Sequence, residues 1–339
     1  MIYLNPETTN FSKDIVEDIY VDKTLFIEKI VKRIDEEDSS IAYILPRRFG
    51  KTSLADMLVS YLSKGADSRD LFSDKKIAQI PNWDENLNKH NVIHMNMKFV
   101  CKFLSMYGNL ENTINNCLNN DLIEAYPEIS INPNDDVIFN FLKIFSKTKE
   151  KFIFIIDEYD VVYREEEYIV YKKEYLNFLN SIAKDSPQFV SLVYLTGILP
   201  VMIGNSESEL NNVQTISIID SMDYEDFIGF KEDEVKGLCE KYNERNDITK
   251  KVKFSEVKRW YNGYKLENKT SIYNPYAIKQ ALSKEKPNIK NHWGKTSSFE
   301  SLKKYIIFEE KKVYKDEIGT KIEDIKLKIN SKIKRIRSL

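Results

Sequence analysis

The sequence predicts an α/β fold: a mainly parallel sheet of five strands flanked by helices, followed by a small helical lid. Three observations predict it: five apolar runs of strand length bounded by turn signals, helical periodicity between most of them, and a loss of strand signal beyond about residue 220.

The five runs are IAYIL at 41–45, VIHMNMKF at 92–99, FIFII at 152–156, VSLVYLT at 190–196 and VQTISII at 213–219. Nearly unbroken apolarity is expected of strands covered on both faces, as in parallel sheets. Residues 51–63 place Leu54, Met57, Leu58, Tyr61 and Leu62 on one helical face, and residues 170–184 do the same with Tyr171, Tyr175, Phe178, Leu179 and Ile182. Past the last run, short helical patterns cover 231–243, 254–261 and 274–283, the last opening at Asn274 with Pro275 in its first turn. The expected division is a core over 1–220, a helical lid over 221–298 and a basic, amphipathic tail over 299–339.

Composition bounds the function. Hydrophobic residues make up 42% of the 339 and charged residues 31%, an ordered globular balance. The formal net charge of -2 excludes a molecule-wide basic field for nucleic acid, so any such contact falls to the tail, where 12 Lys or Arg face 7 Asp or Glu. Cys101, Cys117 and Cys239 form no CxxC pair, as expected in a reducing compartment. The N-terminus does not read as a secretory signal, and the apolar stretch 189–204 is interrupted and too short to cross a membrane. An intracellular, cytoplasmic protein without a membrane partner is the expectation, with the nucleus left open.

The first apolar run leads directly into LPRRFGKTS at 45–53, and helical periodicity begins at Lys51. Strand, Gly-Lys-Thr and helix start are what a Walker A loop needs, because a loop of Pro46, Arg47, Arg48, Phe49, Gly50, Lys51, Thr52 and Ser53 can cradle phosphates at the helix N-terminus with the backbone N–H groups that follow the proline. Lys51 would reach the β- and γ-oxygens, and the Thr52 hydroxyl would hold Mg²⁺. The usual first glycine is replaced by Leu45. A second Gly-Lys-Thr, at 294–296, has no strand before it and reads as a decoy.

FIFII ends in Asp157 and Glu158, the Walker B pattern: an apolar strand delivering two carboxylates to the sheet edge where ligands bind. Asp157 would hold Mg²⁺ largely through water, and Glu158 would polarise the attacking water. The strand at 92–99 falls between loop and acid pair in the chain, and such an extra strand is expected to separate the two in space, selecting an ATP-hydrolysing P-loop NTPase of the AAA/ASCE type over a kinase-like one. Thr196 ends the fourth run and is the candidate sensor of the γ-phosphate or lytic water. Asp160 receives no chemical assignment. His90 and His94 would sit about 13 Å apart along a strand, too far for one metal.

These residues resemble the AAA-ATPase-like family. The resemblance spans about 11–298 and rests on YVDKTLFIEKI at 20–30, PRRFGKTSL at 46–54, FIIDEYD at 154–160, LTGIL at 195–199, IGFKEDEV at 228–235, WYNGYKL at 260–266, IYNPYAI at 272–278 and HWGKTSS at 292–298. It implies ATP as the nucleotide, and the first expectation is an ATPase whose lid movement over bound ATP drives a conformational switch in a partner or attached module, with a homo-oligomer or protein partner. Leu45 and Pro200 stand where that family tends to carry Arg. Its members often continue into a restriction-endonuclease-like nuclease domain, which a chain of 339 residues is expected to lack. Other readings are a nucleotide-binding interaction module with little turnover and a nucleic-acid-processing protein without its nuclease. Arg164, Arg245 and Arg259 are equivalent candidates for an arginine finger.

Overall fold

Strand β1 (Ser40–Ile44) is buried along its whole length and sits between β4 (Val190–Gly197) and β5 (Gln214–Ser217), with β3 (Phe152–Asp157) and then β2 (Asn91–Asn96) continuing beyond β4. All four pairings in the resulting order β2-β3-β4-β1-β5 are parallel. The computed structural model describes residues 1–290 except 8, 185–187, 201–209, 211, 245–250, 267, 269 and 283–287. They belong to a single unit, Met1–His292. The basic tail, the decoy Gly-Lys-Thr, the HWGKTSS segment and Arg245 lie outside the described residues.

The strand order corrects one expectation. The strand that separates β1 from β3 is β4, whereas β2, which falls between them in the chain, lies at the far edge. Parallel strands need crossover connections, and these carry each strand to a place in the sheet that sequence order does not dictate. Strand β2 also ends sooner than its apolar run, because Asn96 caps the next turn by accepting from the Phe99 N–H. Strand β5 is likewise shorter than its run, and Ile219 beyond it is exposed.

Helices cover both faces. Helix α1 (Leu25–Val31) and helix α2 (Lys51–Leu62) pack on one face. On the other, α3 (Leu110–Ala125), α4 (Val137–Thr148) and α5 (Lys172–Ala183) enclose the main core with Phe152, Phe154, Ile156, Val193 and Leu195. The sequence reading did not anticipate α3 and α4. Five of the sixteen residues of α3 are asparagine, a weak helix former, yet Leu110, Ile114, Leu118 and Leu122 recur every fourth residue and are buried. Asn109 and Asp136 cap α3 and α4 through their side chains.

The last third holds the three expected helices, α6 (Glu232–Glu244), α7 (Phe254–Tyr261) and α8 (Pro275–Leu282). It also holds a small antiparallel sheet that short-run analysis did not detect, with β6 (Phe230–Lys231), β8 (Ser271–Tyr273) and β7 (Tyr264–Lys265) in that spatial order. Two- and three-residue strands leave no periodicity to read. No helix among the described residues is long and apolar enough to cross a membrane.

Candidate functional site

The loop 45–50 leaves β1 and turns into α2. Leu45 N–H still donates to Gly197 O, so the residue replacing the usual glycine prolongs the β1–β4 ladder and buries its side chain; that position calls for no glycine backbone. The left-handed turns fall instead on Arg48 (φ 69°) and Gly50 (φ 88°). Gly50 precedes the first helical residue, and a Cβ built there would meet nothing within 4 Å, so its backbone conformation is what calls for glycine.

Lys51 is 8% exposed and folds back on the loop, donating to Leu45 O at 2.8 Å and Pro46 O at 3.0 Å. Burial lowers its pKa to about 8, against the opposing pull of Asp157, Asp160 and Glu158. Thr52, one residue on, donates its hydroxyl to Asp157 Oδ2 at 2.9 Å, joining two stretches of chain 105 residues apart.

Asp157 is fully buried. Register explains its surroundings: Asn96 is paired opposite Asp157, and Leu195 is opposite Ile156, so Asn96, Asp157 and Thr196 stand side by side on one face of β2, β3 and β4. Asn96 donates to Asp157 Oδ2 at 3.0 Å and Thr196 donates to Asp157 Oδ1. Thr196 was expected to face phosphate or water; its hydroxyl is spent on the carboxylate. Asn96 was missed. Its one signal was a polar residue near the end of an apolar run, shared by many strand exits.

Glu158 has a left-handed backbone (φ 50°), and its Oε2 accepts from Arg164 Nη2 at 3.0 Å. Arg164, 5% exposed, also contacts both oxygens of Asp160 at 3.2 Å. Asp160, unassigned in sequence, is fully buried and accepts from the N–H groups of Ile198 and Leu199 at 3.0 and 3.1 Å. Burial raises its pKa, with Arg164 and those N–H groups opposing the rise. The inward engagement of Arg164 sets it apart from Arg259, an exposed residue.

The motifs of the last third converge on the phosphate loop. The Phe49 ring packs edge-on against Tyr264 with centroids 5.0 Å apart, Arg48 lies over the Tyr276 ring at 3.9 Å, and Asn274 donates to Arg47 O at 3.5 Å. Gly229 adopts φ 65°, and a Cβ there would come within 2.8 Å of Tyr273 O and 3.2 Å of Phe49. IGFKEDEV, WYNGYKL and IYNPYAI therefore brace the loop.

A cavity of about 650 Å³ opens between loop and brace. Arg47 through Leu54 line it with Lys23, Lys98, Glu158, Asp160, Arg164 and Lys279, and Ile19, Tyr20, Val21, Phe227 and Tyr276 give it an apolar side. Thus every residue from Arg47 to Ser53 borders it, while Pro46 reaches the site only through its carbonyl on Lys51. His90 bonds Asn86, burial lowers the pKa values of both His90 and His94, and no cluster of three or more metal-binding side chains occurs among the described residues.

A five-stranded parallel sheet in this order, with a Gly-Lys-Thr turn leaving its fourth strand in space, is a P-loop NTPase fold of the AAA/ASCE type. The sequence matches the model of the AAA-ATPase-like family, described as Predicted AAA-ATPase, over residues 8–205, more than half of the chain, and the chain belongs to that family. Among solved structures it is similar to that titled Structure of C. elegans PCH-2, at 13% identity and a TM-score of 0.31, over 63% of this chain and 47% of that one. The chain thus spans about half of that protein's length. No curated protein matches it significantly.

Proposed function

We propose that the protein binds ATP with Mg²⁺ and hydrolyses it, so that movement of the lid, 221–298, against the core, 1–220, switches a partner or a second copy of the chain. The meeting of Thr52 with Asp157 carries this reading: a hydroxyl and a carboxylate oxygen 2.9 Å apart are hard donors of the kind Mg²⁺ takes. The fit has a further support. Asp157 is a fully buried carboxylate whose hydrogen-bond donors Thr52, Asn96 and Thr196 are all neutral, and the Lys51 ammonium that feels its charge bonds loop carbonyls instead, so a cation in direct contact suits it.

In this reading the loop N–H groups from Arg47 to Ser53 and the Lys51 ammonium hold the triphosphate, and Thr52 and Asp157 hold the ion. Bound there, Mg²⁺ neutralises charge on the β- and γ-phosphate oxygens. Glu158 orients water on the γ-phosphorus. A bond forms from the water oxygen to phosphorus as the bond to the β–γ bridging oxygen breaks, ADP departs, and the water proton passes toward Glu158. Thr196 acts through Asp157, as a positioning residue. The apolar side of the cavity suits a base, and its lysines, with Arg47 and Arg48, suit the phosphates.

One contact favours a second reading, a nucleotide-binding interaction module with little turnover: Glu158 is held by Arg164. Two measurements test the readings together. ATP binding should strengthen with Mg²⁺ in the wild type and be lost in Lys51→Ala, and phosphate release should fall at least about ten-fold in Glu158→Gln. Equal, slow release from both proteins while both bind ATP would eliminate hydrolysis and leave the module.

A further inference from the structure

We propose that Arg164 is a positioning residue that restrains hydrolysis by holding Glu158 off the attacking water. The inference rests on the ATPase reading and extends it to the control of its rate. Arg164 is a fixed post. Its Nη1 meets both oxygens of Asp160 at 3.2 Å and its Nε meets Glu165 at 3.2 Å, with the side chain 5% exposed. Asp160 is fixed in turn: it is fully buried and bonded to the N–H groups of Ile198 and Leu199.

The exit of β4 is locked to the same stretch of chain. Tyr159 N–H donates to Thr196 O at 2.9 Å, its hydroxyl bonds Leu199 O, and a Cβ at Gly197 would come within 2.5 Å of the Tyr159 ring. The remaining branch of the guanidinium, Nη2, takes Glu158 Oε2 at 3.0 Å.

Glu158 is the mobile member. Its side chain is 35% exposed, it borders the cavity, and Arg164 Nη2 is the group that anchors its carboxylate. The pair fixes Oε2 at Arg164 and with it the direction in which the whole carboxylate points, so the water is best engaged once the carboxylate leaves Arg164 and turns into the cavity. A pair with one buried and one partly exposed member is a modest restraint, one that sets a rate without abolishing it. The planar fork is what lets one cation serve Asp160 and Glu158 at once, and a lysine ammonium cannot span both.

The test is steady-state ATP hydrolysis by Arg164→Lys, which keeps a cation beside Asp160. Release of Glu158 should raise kcat about five-fold, the scale of a partly exposed ion pair, with KM and ATP affinity unchanged. The gain must pass through Glu158: Arg164→Lys combined with Glu158→Gln should be as slow as Glu158→Gln alone, a dependence that a purely structural role would not produce. Should Arg164→Lys fail to fold, Asp160→Asn with Arg164→Gln removes both buried charges together and leaves an amide oxygen for Ile198 and Leu199. If the wild type hydrolyses ATP and the folded variants that keep Glu158 turn over at the same rate or slower, the restraint is wrong and the ATPase reading stands. If the wild type and every variant bind ATP and release no phosphate, both are wrong.

Discussion

Tyr194 and Thr196 lie two residues apart on the same face of β4, and each buries a hydroxyl. Their surroundings are opposite. Thr196 is bonded to Asp157 in a row where Asn96, Asp157, Thr196 and Thr52 satisfy one another. The Tyr194 and Tyr43 hydroxyls have no partner, and both rings lie in an aromatic cluster with Phe26, which also packs against Tyr224 and Phe227 at 5.3–5.9 Å. One neighbourhood is organised by polar complementarity around a carboxylate; the other by ring packing, where the area removed from water outweighs an orphaned hydroxyl. A buried charge cannot be left unpaired at that cost, and a buried phenol can.

Three substitutions or titrations break or sharpen this contrast. The largest effect belongs to Thr196→Val, which leaves Asp157 Oδ1 without its donor in a fully buried place; a loss of about 1–3 kcal/mol is expected in denaturant unfolding. Next comes pH. The Lys51 pKa of about 8, against an ordinary 10.5, means that the ammonium is present at pH 7 and mostly absent at pH 9 in the free protein, so a polyanion binding at pH 9 must recruit a proton. Affinity for Mg-ATP should therefore fall about ten-fold from pH 7 to 9, and a flat titration would remove Lys51 from the phosphate site. The folding linkage has the opposite sign: the cost of burying the ammonium is full below pH 8 and relieved as pH rises toward 10.5. The smallest effect belongs to Tyr194→Phe. Deleting an unpartnered hydroxyl should change stability by less than about 1 kcal/mol, and toward stabilisation; a larger loss would mean that the aromatic cluster depends on that oxygen.

The parts of the site legible in advance were those whose chemistry requires neighbours in the chain. A strand feeding Gly50-Lys51-Thr52 must occupy consecutive residues, because the turn and the helix N-terminus are one local object. Asp157 and Glu158 were legible for the same reason, at the end of an unbroken apolar strand. Asn96 was not, since its meaning comes from register with a strand 61 residues away. Arg164 was only one of three equivalent arginines until its contacts with Glu158 and Asp160 set it apart. The motifs around Gly229, Tyr264 and Asn274 were visible as text without a role, because their partners, Phe49 and Arg47, belong to the phosphate loop far upstream.

Sequence alone determined the parallel α/β class and singled out the Gly-Lys-Thr turn and the acidic end of β3, since hydrophobic period and turn chemistry act over a few residues and leave a local trace. Tertiary structure decided which strand separates them, which neutral groups surround Asp157, and that Glu158 rests on an arginine. Those outcomes depend on where crossover connections carry each strand and on contacts between residues distant in the chain, and neither is written in any short stretch of residues.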